Sequence, residues 1–154
     1  MSLDIEEQYD KIYRYCYFKL HSRELAEDVT QETFLRYFEH YNGVVTVSAL
    51  KYLYTIARNL CVDEYRKPKI EPMGESILDD VMEEKVIENL AVRRALSRLT
   101  SDEQELLLLR YRNEVSVSTL ANIYGVSRFT IYRKIVCASG KFREELRKEG
   151  VVRK

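Results

Sequence analysis

The chain has 154 residues, 45% of them apolar, with 25 basic and 25 acidic side chains. That size fits one domain or two small ones, and the balance of apolar and charged residues excludes a disordered chain. Three cysteines without C-x-x-C spacing exclude a disulfide frame or a zinc site, and an acidic start with no long apolar run is read as a cytoplasmic protein without signal peptide or membrane span.

Twelve Tyr, five Phe, only five Gly and only two Pro favour long helices with short turns. Residues 4–20 repeat Ile5, Tyr9, Ile12, Cys16 and Leu20 at helical spacing, which predicts a helix with one buried face. Tyr13, Tyr15 and Tyr17 are expected to pack within it. His21-Ser22-Arg23 reads as a turn, with Ser22 as the cap of the next helix. That helix, about Arg23 to Tyr41, has an apolar side running through Leu25, Ala26, Val29, Phe34, Tyr37 and Tyr41. Its other side carries Glu24, Asp28, Gln31, Glu32 and Glu39, with Leu35 in their midst. A leucine there is either an ordinary surface leucine or the apolar anchor of a docking site for a basic partner helix. His21 and His40 are read as surface residues.

Asn42-Gly43 breaks the helix, and Val44–Val47 is read as a loop leading to Thr46 or Ser48 as a cap. The third helix spans about Val47 to Arg66. Ala49, Leu50, Leu53, Ile56, Ala57, Leu60 and Cys61 are assigned to its apolar face, and Lys51, Tyr54, Arg58, Val62 and Tyr65 to the opposite one, flanked by Thr55, Asn59 and Arg66. Cations interleaved with tyrosines suit unpaired nucleic acid, since cations neutralise phosphates and rings stack on bases. An ordinary amphipathic helix with snorkelling basic stems gives the same pattern. Lys67-Pro68 stops the helix. Residues 68–85, with both prolines and a run of acids, read as a linker.

Ile87, Leu90, Ala91, Arg94 and Ala95 open a second helical unit ending near Leu99, and Thr100-Ser101-Asp102-Glu103 spells a capping box for a helix reaching about Arg112. Asn113-Glu114 turns the chain. From Val117 to Lys134 the pattern is a helix-turn-helix. Ala121 is small at a helix crossing, Gly125 supplies a positive φ, Val126 is expected to plug the turn, and Ser127 caps the next helix. Ile131, Ile135, Ala138 and Phe142 mark the buried side of that helix, leaving Phe129, Thr130, Arg133, Lys134 and Cys137 pointing away. The zero net charge hides a segregation. Residues 71–91 hold seven acids against Lys85, while residues 92–154 hold 14 basic side chains against 7 acidic ones. Between Glu114 and Glu144 there is no acid, yet Arg128, Arg133, Lys134, Lys141 and Arg143 all fall there. Such a block is the electrostatic footprint of a nucleic-acid contact.

Three stretches in this order resemble the sigma-70 family of bacterial transcription initiation factors, specifically the two-domain extracytoplasmic-function type. Ala26-Glu27-Asp28-Val29-Thr30-Gln31-Glu32-Thr33-Phe34 is similar to conserved region 2.2. Ile56-Ala57-Arg58-Asn59-Leu60 with Asp63 and Arg66-Lys67 is similar to regions 2.3 and 2.4, where the family often has Trp at the place of Tyr52. Leu99-Thr100, Leu120-Ala121 and Gly125-Val126-Ser127 through Lys134 resemble region 4.2, with Arg128-Phe129-Thr130 in place of the usual small β-branched residue and its neighbours.

The resemblance implies an all-α protein of two small helical domains: 1–67 as sigma region 2, 68–90 as an acidic linker running through the polymerase's RNA-exit region, and 91–150 as sigma region 4. It implies docking on core RNA polymerase, on the coiled coil of its largest subunit and on its flap, with Asp28, Gln31, Glu32 and Leu35 on the coiled coil. It implies capture of the melted −10 element by Asn42, Ser48, Lys51, Tyr54, Arg58, Asn59, Asp63, Arg66 and Lys67, with Asp63 alternatively a structural partner of a neighbouring arginine. The −35 duplex is then read by Ser127, Arg128, Phe129, Thr130, Arg133 and Lys134. No cofactor, metal or catalytic group is expected, and an anti-sigma factor is an expected partner. The competing reading is a helix-turn-helix regulator with a helical effector or dimerisation domain.

Overall fold

The computed structural model describes residues 3–41, 44–67 and 90–150. Residues 68–89 of the expected linker, Ile87 among them, and Asn42 lie outside the described residues, while Leu90, expected to end the linker, opens a helix. The described residues form helices joined by short turns, with no strand among them. They fall into two compact units, one built chiefly on the first three helices and one chiefly on the later ones.

In the first unit α1 (Ile5–Leu20), α2 (Arg23–His40) and α3 (Leu50–Arg66) pack on one another. Helix α1 starts at Asp4, whose carboxylate accepts the Glu6 N–H at 3.1 Å. It ends at His21 in the left-handed region, φ 58°, with the His21 N–H on the Tyr17 carbonyl. The Ser22 hydroxyl then caps α2 by accepting the Leu25 N–H at 3.1 Å. Ile12, Tyr15 and Cys16 of α1 meet Ala26, Phe34 and Tyr37 of α2 and Leu53, Ala57 and Cys61 of α3 in the core. Ile5, assigned to the buried face, is the first residue of α1 and is exposed.

Two threonines of α2, Thr30 and Thr33, are fully buried. Their hydroxyls donate to the carbonyls of Ala26 and Val29 at 2.6 and 2.7 Å, so each polar group is satisfied within its own helix and needs no water. The cysteines of α1 and α3, far apart in sequence, also meet. The Cys61 thiol hydrogen-bonds Cys16 and holds its thiol below the ordinary value, against the opposing effect of burial.

The segment before α3 differs from the expected cap. Val47–Ala49 forms one 3₁₀ turn, and neither Thr46 nor Ala49 makes a side-chain cap bond. Instead the Thr46 and Ser48 hydroxyls lie 3.3 Å apart, bonded to each other. Val45 is fully buried, and its carbonyl accepts the Leu3 N–H at 2.6 Å. At the far end Lys67 is extended, φ −77° and ψ 146°, as a residue before proline must be.

The second unit contains α4 (Leu90–Ser97), α5 (Ser101–Leu107), α6 (Val117–Tyr124) and α7 (Arg128–Lys148). Thr100 and Glu103 form the capping box, with the Glu103 N–H on the Thr100 hydroxyl at 3.1 Å and the Thr100 N–H on the Glu103 carboxylate at 2.9 Å. The helix expected to run on to Arg112 widens into a π turn at Leu108–Arg112, where the Asn113 N–H reaches back to the Leu108 carbonyl at 2.9 Å. Leu99, Leu107 and Ala138 centre the core, with Leu96 and Phe142 packed against them. Ion pairs tie α7 to the elements beneath it: Lys141 to Glu103 at 2.6 Å, and Arg98 to Glu149 at 2.7 Å and to Glu145 at 3.3 Å.

Candidate nucleic-acid interface

The helix-turn-helix is built by local rules. Gly125 has φ +70°, a conformation that side-chain-bearing residues rarely adopt, and this lets α6 end within one residue. The Val126 N–H closes the turn on the Ala121 carbonyl at 3.0 Å. The Val126 side chain does not plug the turn as expected. It is 37% exposed, whereas Val115 and Leu120 nearby in sequence are buried. The Ser127 hydroxyl accepts the Thr130 N–H at 3.0 Å and donates to the Thr130 hydroxyl at 3.0 Å, so it is engaged in capping α7.

Ile131, Ile135 and Ala138 set the phase of α7 by burying one side. On the side opposite, Phe129, Arg133 and Val136 are exposed, flanked by Arg128, Lys134 and Cys137. The Arg133 guanidinium rests over the Phe129 ring, 5.2 Å from its centroid. Lys141 differs from its basic neighbours, because Glu103 neutralises it at 2.6 Å and raises its pKa. The outward face of α7 therefore combines cations able to meet phosphates with side chains able to meet base edges.

In the first unit, Leu35 is 60% exposed on α2. Asp28 and Gln31 are also exposed, and the Gln31 amide donates to Glu27 at 3.2 Å. Glu32 is half-buried and holds the Arg36 guanidinium at 2.8 Å. The structure thus brings an apolar side chain and a carboxylate-rich surround onto one helix face.

Of the residues assigned to the melted strand, Ser48, Asn59, Asp63, Arg66 and Lys67 are exposed, while Lys51 and Arg58 are half-buried. Lys67 pairs with Glu64 at 3.0 Å. Tyr54 requires correction. It is 1% exposed, with its ring edge against Tyr15 at 6.0 Å. The buried stripe of α3 is Leu50, Leu53, Tyr54, Ala57 and Cys61, a spacing that turns Tyr54 inward and cannot present it to a base.

Three other tyrosines form a stack that reaches the surface. Tyr37 stacks on Tyr41 at 4.7 Å, and Tyr41 stacks on Tyr52 at 5.5 Å, both nearly parallel. Tyr37 is buried, donates its hydroxyl to the Val44 carbonyl at 2.9 Å, and has its pKa raised by that burial. It anchors the stack. Tyr52, at the outer end, is 43% exposed, with the Lys51 ammonium 5.0 Å from its ring. A flat ring beside a cation suits an unpaired base and its phosphate.

A family model, "Sigma-70 region 2", matches residues 5–69. A curated relative, the extracytoplasmic-function RNA polymerase sigma factor BldN of Streptomyces coelicolor, is 32% identical over 77% of this chain. Another, SigW of Bacillus subtilis, is 26% identical over 94% of this chain and 88% of its own length. Residues 5–69 belong to the sigma-70 region 2 family, and most of the chain is similar to extracytoplasmic-function sigma factors.

The region 2 match covers α1 to α3. A second model, "Helix-turn-helix domain of resolvase", matches residues 96–135 and so covers the Gly125 turn and the first part of α7. The chain spans half the length of BldN. In fold it is similar to the sigma factor RpoE solved in complex with the anti-sigma factor NepR from Bartonella quintana, with a TM-score of 0.61, 18% identity, and coverage of 90% of this chain and 91% of that one. Among the described residues, no helix is long and apolar enough to cross a membrane.

Proposed function

We propose that the chain is a transcription initiation factor that binds core RNA polymerase and directs it to promoters carrying particular −10 and −35 elements. One observation carries this: a region 2 unit with an exposed Leu35 among acids and a helix-turn-helix unit with an exposed basic reading helix occur in the same chain. Residues 1–67 act as region 2, residues 68–90 as the acidic linker, and residues 91–150 as region 4. Asp28, Gln31, Glu32 and Leu35 of α2 dock on the coiled coil of the largest polymerase subunit, and region 4 meets the flap. Ser48, Lys51, Arg58, Asn59, Asp63, Arg66 and Lys67 line the melted −10 strand together with Asn42. Tyr52 is added as the exposed end of a stack anchored in the core. Arg128, Phe129, Thr130, Arg133 and Lys134 face the −35 duplex, and Ser127 fixes the start of their helix.

The protein makes and breaks no covalent bond in this scheme. Base stacking on tyrosine and neutralisation of phosphates stabilise the opened strand, so strand opening is driven by binding energy. It acts in the cytoplasm, where the polymerase is. The anti-sigma complex of the Bartonella relative supports expecting an anti-sigma partner here too.

The test is incubation of the full chain with purified core polymerase, followed by size exclusion and footprinting on genomic promoter fragments. Co-elution with core, and protection of two upstream elements only when both are present, are the expected results. Tight duplex binding as a dimer, with no association with core, would replace this proposal with a helix-turn-helix regulator.

A further inference from the structure

Phe129 is the second residue of α7 and is 70% exposed, more than any other large apolar side chain among the described residues. A single exposed phenylalanine needs no explanation by itself. This one lies opposite the buried line of Ile131, Ile135 and Ala138, at the centre of the outward face, and it carries the Arg133 guanidinium on its ring at 5.2 Å. Among the described residues no carboxylate pairs with Arg133. The sequence around it, from Val115 to Arg143, contains no acid.

That stacking has a chemical consequence. A guanidinium lying on a ring uses its face for the contact, and its N–H donors stay in the plane, at the edge. The ring limits the rotamers of Arg133 before any ligand arrives, so less side-chain freedom is lost when the fork is used. In a major groove the fork of arginine matches O6 and N7 of guanine, whereas an apolar ring edge matches the C5-methyl group of thymine. The two residues are one turn apart, about 6 Å along the helix. Their heads are drawn together by the stack, to within two steps of a duplex whose base pairs rise about 3.4 Å each. One pair of side chains can therefore address two neighbouring base pairs at once.

We propose that Phe129 and Arg133 form a composite reader of a T·A pair beside a G·C pair in the −35 duplex, Phe129 packing on the thymine methyl and Arg133 forking onto the guanine. This rests on the assignment of α7 as the duplex-reading helix and adds the base chemistry it selects. Phe129 is the specificity-determining residue, because a methyl group is the feature it tests. Arg133 supplies the hydrogen bonds.

The experiment uses holoenzyme assembled from the full chain and core polymerase, and a duplex library randomised over the upstream element. Selection is expected to enrich a T·A pair next to a G·C pair. Replacing that thymine with deoxyuridine removes only the methyl group and is expected to weaken binding about three- to five-fold. Phe129→Ala should weaken binding to the thymine duplex and abolish the difference between thymine and uracil, while Phe129→Leu should keep part of it. Replacing the guanine with 7-deazaguanine should weaken the wild type and leave Arg133→Ala unaffected. Phe129 is 70% exposed, so thermal melting of Phe129→Ala should match the wild type closely. If the library is enriched but Phe129→Ala distinguishes thymine from uracil as well as the wild type does, the composite reader is wrong while α7 remains the reading helix. If no upstream sequence is enriched at all, the assignment of α7 falls, and the reader with it.

Discussion

Replacing Leu35 with Ala should separate binding to core polymerase from folding. Leu35 is 60% exposed, so roughly 60% of its apolar surface is left for a partner to cover. Full burial of a leucine is worth about 1.5–3 kcal/mol, so docking gains about 1–2 kcal/mol from this side chain. Truncation to alanine removes most of that gain and leaves a small void at the interface, which together give a loss of about 1–2 kcal/mol and a Kd raised roughly five- to thirty-fold. In the free protein the same change touches little. Alanine is at least as good a helix former as leucine, and an exposed substitution usually stays within about 0.5 kcal/mol. Titration of labelled protein with core polymerase, alongside thermal melting, measures both quantities. Unchanged affinity with an intact fold would refute the docking role and return Leu35 to an ordinary surface leucine. A fall in both stability and affinity would mean that Leu35 belongs to the core, against its observed exposure.

The other expectations concern stability and the strand-binding face. Tyr54→Ala should cost about 3–5 kcal/mol of stability in urea melts, as loss of a buried ring does, whereas Tyr52→Ala should leave stability nearly unchanged and weaken single-strand binding by about 1–3 kcal/mol in fluorescence titrations with holoenzyme. If the two variants behave alike, the division between core ring and platform ring is wrong. Thr100→Ala breaks the capping box and should lower the protection of α5 amides in hydrogen exchange by about 1 kcal/mol; unaltered protection would show that packing alone holds the helix start. Acid should weaken the second unit. The Lys141 ammonium holds Glu103 below the ordinary carboxylate value of 4.5, and the Arg98 guanidinium does the same for Glu149. A depressed folded value gives stability that is present above the ordinary value and lost as pH falls through the folded one. Urea midpoints should therefore drop below about pH 4.5, and Arg98→Met should flatten that dependence. Solvent exposure of these pairs keeps the effect small, and an identical pH dependence in the variant would remove Glu149 from the account.

What could be read from the sequence was what local rules decide. Ser22, Ser127 and the Thr100–Glu103 box cap their helices as their types and spacing require, and Gly125 adopts the positive φ that the turn needs. The buried line Ile131, Ile135 and Ala138 fixes the outward face of α7 because one strong apolar stripe leaves no choice of phase. On α3 the phase was ambiguous. Tyr54 sits at the edge of the stripe, about 40° round from Leu50 at about 100° per residue, and its inward place is visible only once the Tyr15 ring of another helix lies against it. Thr30 and Thr33 were hidden for a different reason. Their type is polar, but their hydroxyls are satisfied by their own helix, so burial costs them little. Tyr37 and Tyr41 are related by helical spacing, but the stacking of Tyr41 on Tyr52 and the meeting of Cys16 with Cys61 are tertiary facts, joining residues that no helical spacing relates. The departure at Tyr52, where the family often has Trp, was the one signal in the sequence pointing to that stack.

The most direct test of the central claim is run-off transcription from linear promoter templates with purified core polymerase, with and without the full chain. The account predicts no specific transcript from core alone, discrete transcripts when the chain is added, and their loss when either upstream element is scrambled. Discrete transcripts of the same start and amount without the chain, or none with it despite a stable complex with core, would contradict it.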